Sequence, residues 1–520
     1  MSTDNSGLIV SALESTDPAL AASIDARNSW KQAIIQRGAR VALFRNYEHG
    51  DHRASMQTEI RKMLRLREDD AELNKLNINY CKVVVDKMAG RIFVLNIATD
   101  TDASKQWLID TLTRNKFDAQ QTEWWRAAVR DGNAYVMVDP DTALWTSEPA
   151  YDGFSGIIVV YDDMTRDPMW ACKLWSEADT QDVAAADTSR AVIKLVVYQP
   201  DRVSYWIGDE SGQEVKPDNI VPVNTIIDRG NGFAAVVDSE TEFTNTRPWP
   251  VKSRKLPIIS LVNQRDNYTS YGTSELHPVI TLQDSLNSIQ SDKIMASKFG
   301  AFKLLWSIGF EIDVDGIMPG GVINLVLKDK GENIVTHLTQ EQVEFLKAVR
   351  VGQFDATDIS QYTNQIEKET QQISNVSQTP IYGVTAEGNL SGEALKQLEI
   401  GLLGKVERFQ HQNTDAIKEL ITLTAEIQNT FEGENAPAFG IVNVIWKSPE
   451  LLDVNARIAT LVTLREKSPG LFADEFYIKR IGVLLGMSQE DINTEIENAK
   501  TQGSFNFGAL VAGGLVGNRV

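Results

Sequence analysis

The stretch FDATDISQYTNQIEKETQQISNVSQTPIYGVTAEGNLSGEALKQLEIGLLGKVERFQHQ, from Phe354 to Gln412, decides how the rest of the chain is read. In its first part Ile359, Tyr362, Ile366, Ile373 and Val376 recur at spacings of three, four, seven and three. That places one apolar stripe on a helix otherwise built of Asn, Gln, Glu, Lys and Thr, so one narrow face is expected to be buried. Thr379, Pro380, Gly383, Gly388 and Asn389 then stop the helix. Pro disfavours helical geometry in the residue before it, and Gly and Asn suit turns. Ser391 reads as the N-cap of a second helix, in which Leu395, Leu398, Leu402, Val406 and Phe409 keep a three-and-four rhythm over about four turns. Two core helices joined by a loop rich in breakers are expected.

Upstream, Val279, Leu282, Leu286 and Ile289 give the apolar side of another helix reaching about Gly300, with Asp284, Asn287, Asp292, Lys293 and Lys298 on its other faces. Between this helix and the one near Phe354, Phe310 to Thr336 is strand-like, with Gly316, Gly320 and Gly321 as turns. Asp313-Val314-Asp315-Gly316 is read as a plain turn: a calcium loop would need a downstream Glu at fixed distance and a later glycine. Further back, Leu256 to Asn263 reads as a buried strand opened by Pro257. Short runs from Ala134 to Ile207, rich in β-branched and aromatic residues and separated by Asp, Gly, Pro and Ser, indicate a mostly antiparallel β region. Ala178 to Arg190 and Asn231 to Pro250 look like surface insertions.

The N-terminal half begins with helical pattern from Leu8 to Phe44, interrupted near Pro18, and ends in Tyr47-Glu48-His49-Gly50-Asp51-His52. His49 and His52 with the two acids lack a third partner nearby, so a polar turn is preferred to a metal site. Asn79 to Ile92 and Trp107 to Arg130 read as two more helices; Trp124 and Trp125 are taken as core or subunit-contact residues rather than base-stacking ones. After Phe431 a strand, Gly440 to Trp446, precedes two or three short helices between Leu452 and Lys500 and a Gly-rich tail.

A length of 520 residues suits about two to four modules. The 42% hydrophobic share is too high for a disordered chain. Cys81 and Cys172 alone cannot build a disulfide framework or a thiolate metal site, and a reducing compartment is expected. The N-terminus has no basic region before an apolar core, and no run approaches a membrane span, so a soluble protein without a signal peptide is expected. A net charge of -20 argues against a simple nucleic-acid binder with a basic face. There is no phosphate loop, nucleophile elbow or His-rich zinc motif, and the terminal glycines do not sit between a strand and a helix. A non-enzyme without catalytic residues, metal or cofactor is expected.

Four pieces of the chain, taken together, resemble one family. They are Tyr47 to His52 with Val84-Val85-Asp86, Ala89 and Arg91; Gly132-Asn133-Ala134-Tyr135-Val136; Leu256-Pro257-Ile258, Asn263, Gly272 and Ser274 followed by Val279 to Asn287 and Asp292; and Thr379-Pro380, Leu390 to Leu395 and Lys405-Val406. Their order and spacing, over about Tyr47 to Phe409, resemble the portal, or head-to-tail connector, proteins of tailed double-stranded-DNA bacteriophages.

The resemblance implies an α+β portal fold assembled as a ring of about twelve copies at one capsid vertex, assembled in the host cytoplasm and carried in the virion. Mapped onto this chain it implies a wing over 1–278, a first stem helix over 279–302, an αβ clip over 303–352 and a second stem helix over 353–376. A tunnel loop over 377–390 follows, then a long helix and strand over 391–450, a helical crown over 451–500 and a flexible tail over 501–520. Implied partners are double-stranded DNA passing through, the terminase large subunit, the major capsid protein, the scaffolding protein and a head-completion or adaptor protein, with no membrane. About twelve copies of a chain of charge -20 make a strongly anionic ring, which suits a channel that must not grip phosphates.

Under this resemblance Ser377, Gln378, Thr379, Tyr382, Thr385, Glu387 and Asn389 are expected to face DNA from the tunnel loop. Lys293, Lys298 and Lys368 either lie near phosphates or contact neighbouring subunits and solvent. Two other readings stay open: a ring-forming adaptor or scaffold without a DNA channel, and a metal-dependent nuclease using clustered carboxylates.

Overall fold

Tertiary structure rests on a long helix, α8, Gly392–Ile427, whose Leu402, Val406, Phe409, Ile417, Leu420, Ile421 and Leu423 are all buried. The computed structural model describes residues 24–52, 78–139, 142–162, 165–178, 191–200, 202–209, 224–228, 234–238, 246–248, 255–267, 269–301, 305–308, 339–348, 350–353, 358–381, 392–432, 436–450, 454–467, 473–485, 492, 494, 496 and 497. It divides into two compact units, Met1–Lys447 and Ser448–Val520.

In the first unit, α1 (Ile24–His49), α2 (Tyr80–Ala89), α3 (Asp102–Arg114) and α4 (Phe117–Asp131) surround the same core as α8. Trp124 and Trp125 are completely buried in it, Trp125 lying 5.7 Å edge-to-face from Phe409 and 5.3 Å from Trp446. They are core residues, as the apolar company of Leu108, Leu112 and Phe117 indicates. The single helix expected over Trp107 to Arg130 is two. Asn115 folds its amide back onto the Thr111 carbonyl at 2.9 Å, and Lys116 adopts φ 48°, a left-handed turn that ends one helix and starts the next.

The strands form four antiparallel groups among the described residues. β1 (Val94–Thr99) pairs with β14 (Val442–Trp446). β2 (Asn133–Val138) lies between β3 (Trp145–Glu148) and β11 (Ile258–Val262). A seven-stranded sheet runs β4 (Gly156–Tyr161), β5 (Pro168–Ala178), β6 (Ala191–Tyr198), β7 (Arg202–Asp209), β9 (Ala234–Asp238), β8 (Asn224–Asp228), with β10 (Thr246–Pro248) on β7. Its first strands are buried on both faces: Ile157, Val159 and Tyr161 face the main core, while Ile158, Trp170, Cys172, Leu174, Ile193, Leu195 and Val197 form a second core with Ile34 of α1. Asn231 to Pro250, expected as a surface insertion, contributes β9 and β10 to this sheet; their runs are too short and too interrupted by acids to register as strands by pattern. Both cysteines are buried as free thiols, and burial pushes the Cys81 thiol up to about 12.

The chain then runs through α5 (Ile280–Ala301), passes the pair β12 (Leu305–Ile308) and β13 (Arg350–Gln353) with α6 (Gln340–Ala348) between them in sequence, and continues through α7 (Ser360–Val376). α5 and α7 pack on each other. The expected strands of Phe310 to Thr336, with the Asp313 to Gly316 turn, lie outside the described residues, as do Ser391, the stretch before Ile24 and the Gly-rich tail. The second unit contains α9 (Val454–Lys467) and α10 (Asp474–Leu485), with Ile478, Ile492 and Ile496 packed together.

Helix α8 also closes a sheet edge. The Asn413 amide accepts from the Val262 N–H at 2.8 Å and donates to the Val262 carbonyl at 2.9 Å, standing in for a neighbouring strand at the end of β11. Asn413→Leu is expected to leave both backbone groups buried and unpaired, at a cost of about 1–3 kcal/mol for each. A drop in the denaturant midpoint at unchanged slope would register this; an unaltered midpoint would rule it out.

Candidate functional site

The end of α7 is closed by a turn of its own hydrogen bonds. The Thr379 N–H donates to the Ser374 carbonyl at 3.0 Å and the Gln378 N–H to the Asn375 carbonyl at 3.2 Å, with Gln378 at φ 49°. This is a Schellman closure with glutamine where glycine is the easy choice. Pro380 then prevents continuation. Ser374 Oγ donates to the Thr379 carbonyl at 2.8 Å, and Thr379 Oγ1 to the Ser377 carbonyl at 3.1 Å, so the turn is locked by its own hydroxyls.

Beneath this turn lies Lys405 of α8, itself buried. Its ammonium donates to the Ser377 carbonyl at 2.8 Å, at the negative end of α7, and forms an ion pair with Glu275. Glu275 is also buried and accepts from the Asn263 amide at 3.1 Å and from the Gln264 amide. One buried cation thus joins three segments: the end of α7, α8, and the turn that precedes α5. A buried pair that satisfies both charges fixes geometry more than it adds stability.

The turn before α5 is held as tightly. The Asn263 N–H donates to the Gly132 carbonyl at 2.9 Å, Asn133 Oδ1 accepts from the Gly272 N–H at 2.9 Å and from Arg37 at 2.6 Å, and Ser274 Oγ bonds the Arg130 carbonyl. Gly132 (φ 83°) and Gly272 approach so closely that a Cβ on Gly132 would meet the Gly272 carbonyl at 2.7 Å.

The first turns of α5 grip the N-terminal segments. Gln283 accepts from the Tyr80 N–H at 2.9 Å and donates to the Ile78 carbonyl at 2.6 Å; Asp284 accepts from the Tyr47 hydroxyl at 2.6 Å; Asn287 Oδ1 accepts from the Ile78 N–H at 3.1 Å. That last bond orients the Asn287 amide so that its N–H points at His52 Nδ1, 2.7 Å away, while His52 Nε2 faces the Tyr47 carbonyl at 3.1 Å. Only the neutral imidazole protonated on Nε2 satisfies both contacts.

Burial lowers the His52 imidazole from its ordinary value, against the raising effect of the Tyr47 carbonyl and Asp284. The folded state therefore takes up this proton later than the unfolded chain as pH falls. The stabilising contribution is complete above about pH 6.5 and is lost below it, toward the depressed folded value. A melting temperature that declines below about pH 6.5, and declines less in His52→Gln, is expected; identical pH profiles for the two proteins would contradict it.

Of the expected loop residues, Ser377 and Thr379 are buried in the turn that closes α7 and Gln378 is exposed. Tyr382, Thr385, Glu387 and Asn389 lie outside the described residues. Lys368 is exposed on α7, Lys293 is half-buried on α5, and the side chain of Lys298 is outside the description. His49 and Asp51 are exposed whereas His52 is buried, and Glu48 pairs with Arg126 and Arg130, so the 47–52 segment is a structural anchor. Among the described residues no group of three or more His, Cys, Asp or Glu could hold a metal, and no helix is long and apolar enough to cross a membrane.

Glu275, Lys405, Gln283 and Asn287 were not legible as a site from periodicity. The one signal was their polarity beside apolar stripes, such as Lys405 between Leu402 and Val406.

Against curated proteins the chain finds no match. A family described as phage portal protein, SPP1 Gp6-like, matches residues 35–502, nearly the whole chain, including both α5 and α7, the intervening insertion and the Lys405 junction. With mixed helix and sheet and a match of that extent, the chain belongs to the phage portal proteins, structural components of the bacteriophage capsid that serve DNA packaging.

Proposed function

We propose that this portal protein forms a ring of about twelve copies at one capsid vertex, with a central channel through which double-stranded DNA enters during packaging and leaves during ejection. Within it, residues 1–278 make the wing, α5 and α7 the stem, 303–352 the clip, 377–390 the tunnel loop and 451–500 the crown. The clip end docks the terminase large subunit and afterwards a head-completion or adaptor protein. The wing meets the major capsid and scaffolding proteins, and assembly takes place in the host cytoplasm.

The observation that carries this reading is the pair of packed helices α5 and α7, which leave and return around one small insertion and end at a junction fixed by Lys405. A loop launched from such a junction has a defined origin. Gln378 supports its exposure to the channel: a non-glycine residue held at φ 49° with an exposed side chain costs about 1–3 kcal/mol that glycine would avoid. Tyr382, Thr385, Glu387 and Asn389 continue the DNA-facing surface, whereas Ser377 and Thr379 hold its root.

Replacing residues 382–389 by a Gly-Ser linker tests the assignment. Rings of normal size that package DNA but lose it from the filled head are expected. Full retention of packaged DNA by such rings would remove the loop from the DNA path.

A further inference from the structure

Helix α7 presents an unusual face. Gln361, Asn364, Gln365, Gln371, Gln372 and Asn375 are all exposed, and none of their side chains has a hydrogen-bond partner among the described residues. At 100° per residue they fall, with Lys368 at their centre, in one arc of about 120° opposite the half-buried and buried Tyr362, Ile366, Thr370 and Ile373. Their spacing of three and four makes a continuous stripe.

A heptad-spaced stripe ordinarily seats a neighbouring helix, but such a seam needs apolar residues at its central positions. Six amides there would be buried at a cost with little packing in return. The stripe instead suits a polar, hydrated partner. Amide N–H groups donate to phosphate oxygens but carry no charge, so they contribute no counterion-release affinity, and each bond exchanges readily with water. Lys368 is the single cation, and Glu367 stands exposed next to it. On a chain of net charge -20 this face is close to neutral, so a polyanion can approach it without the repulsion offered by an acidic surface. From Gln361 to Asn375 the stripe is about 21 Å long, which matches roughly six phosphate steps along one strand of duplex DNA.

We propose that the amide stripe of α7 is a low-friction surface along which duplex phosphates slide, passed from one residue to the next by neutral hydrogen bonds. The proposal rests on the reading of the ring as a DNA channel and adds which stem face lines it.

Two double variants test it, Gln365→Lys/Gln372→Lys and Gln365→Glu/Gln372→Glu, each checked by circular dichroism and by particle size. Both sites are exposed and have no hydrogen-bond partner among the described residues, so intact rings are expected from both. The lysine rings are expected to hold duplex DNA with a log affinity against log salt slope steeper by about 0.9 for each phosphate newly contacted, and to package less DNA. The glutamate rings are expected to hold duplex more weakly than unmodified rings. DNA binding and packaging unchanged in both variants would overturn the proposal, and so would loss of the ring in both, which would make the stripe a contact between copies. If unmodified rings pass no duplex at all, the channel reading itself fails; if they pass it and the variants do so equally, only the stripe does.

Discussion

Lys405→Met is expected to destabilise the first unit by about 3–5 kcal/mol, the usual consequence of removing one partner of a buried ion pair. The methionine would fill the volume of the lysine stem, so the loss is electrostatic rather than a cavity. Glu275, 2% exposed, would keep only the amides of Asn263 and Gln264, and the Ser377 carbonyl would lose its ammonium. Adding Glu275→Gln removes the stranded charge and is expected to recover most of the stability, a coupling that a double-mutant cycle in denaturant reads directly. Equal and additive losses in the two single variants would mean that the pair is not the joint between α7, α8 and the turn before α5.

The second large effect is expected at Gly132 and Gly272. Gly132→Ala puts a side chain into the left-handed region at φ 83° and drives its Cβ to 2.7 Å from the Gly272 carbonyl. The conformation alone costs roughly 1–3 kcal/mol, and crowding against backbone adds a similar amount. Gly272→Ala is worse placed, since its Cβ would collide with the carbonyls of both Gly132 and Asn263, neither of which can swing away as a side chain would. Little folded protein is expected from it. Gly404→Ala is the control: it lies within α8 with open space around the added methyl, and a gain of roughly 0.5–1 kcal/mol is expected. A Gly272→Ala protein as stable as the parent would show that the two turns do not abut.

The amphipathic helices were legible because each buries one face against apolar neighbours, a relation that leaves a period of 3.6 in the chain. The Ile359, Tyr362, Ile366 and Ile373 stripe is the inner face of α7, though Val376 at its end is 50% exposed because at 100° per residue it lies about 60° round the helix from Ile373, toward the polar face. The stripe of α8 from Leu402 to Phe409 is core throughout. Polar residues inside the fold left no such trace. On α5, Gln283 and Asn287 are almost fully buried, yet a pattern of polarity assigns them to solvent; their partners are backbone groups some two hundred positions earlier. Lys405 is similar, a cation whose reason for being inside is a carboxylate and a helix end brought to it by folding. The break at Lys116 depended on one residue adopting a left-handed conformation, which lysine rarely announces. Family resemblance reached Asn263, Gly272, Ser274 and Lys405 as motif positions, and the structure supplies their physical reason: they take part in the hydrogen bonds that fix the turn before α5 against β2, the end of α4 and the end of α7.

Image averages of the purified protein viewed down its symmetry axis test the channel most directly. Rings of about twelve subunits, with a hole wide enough for a duplex, are the expected result. Particles that remain single chains, or close without a central opening, would contradict it.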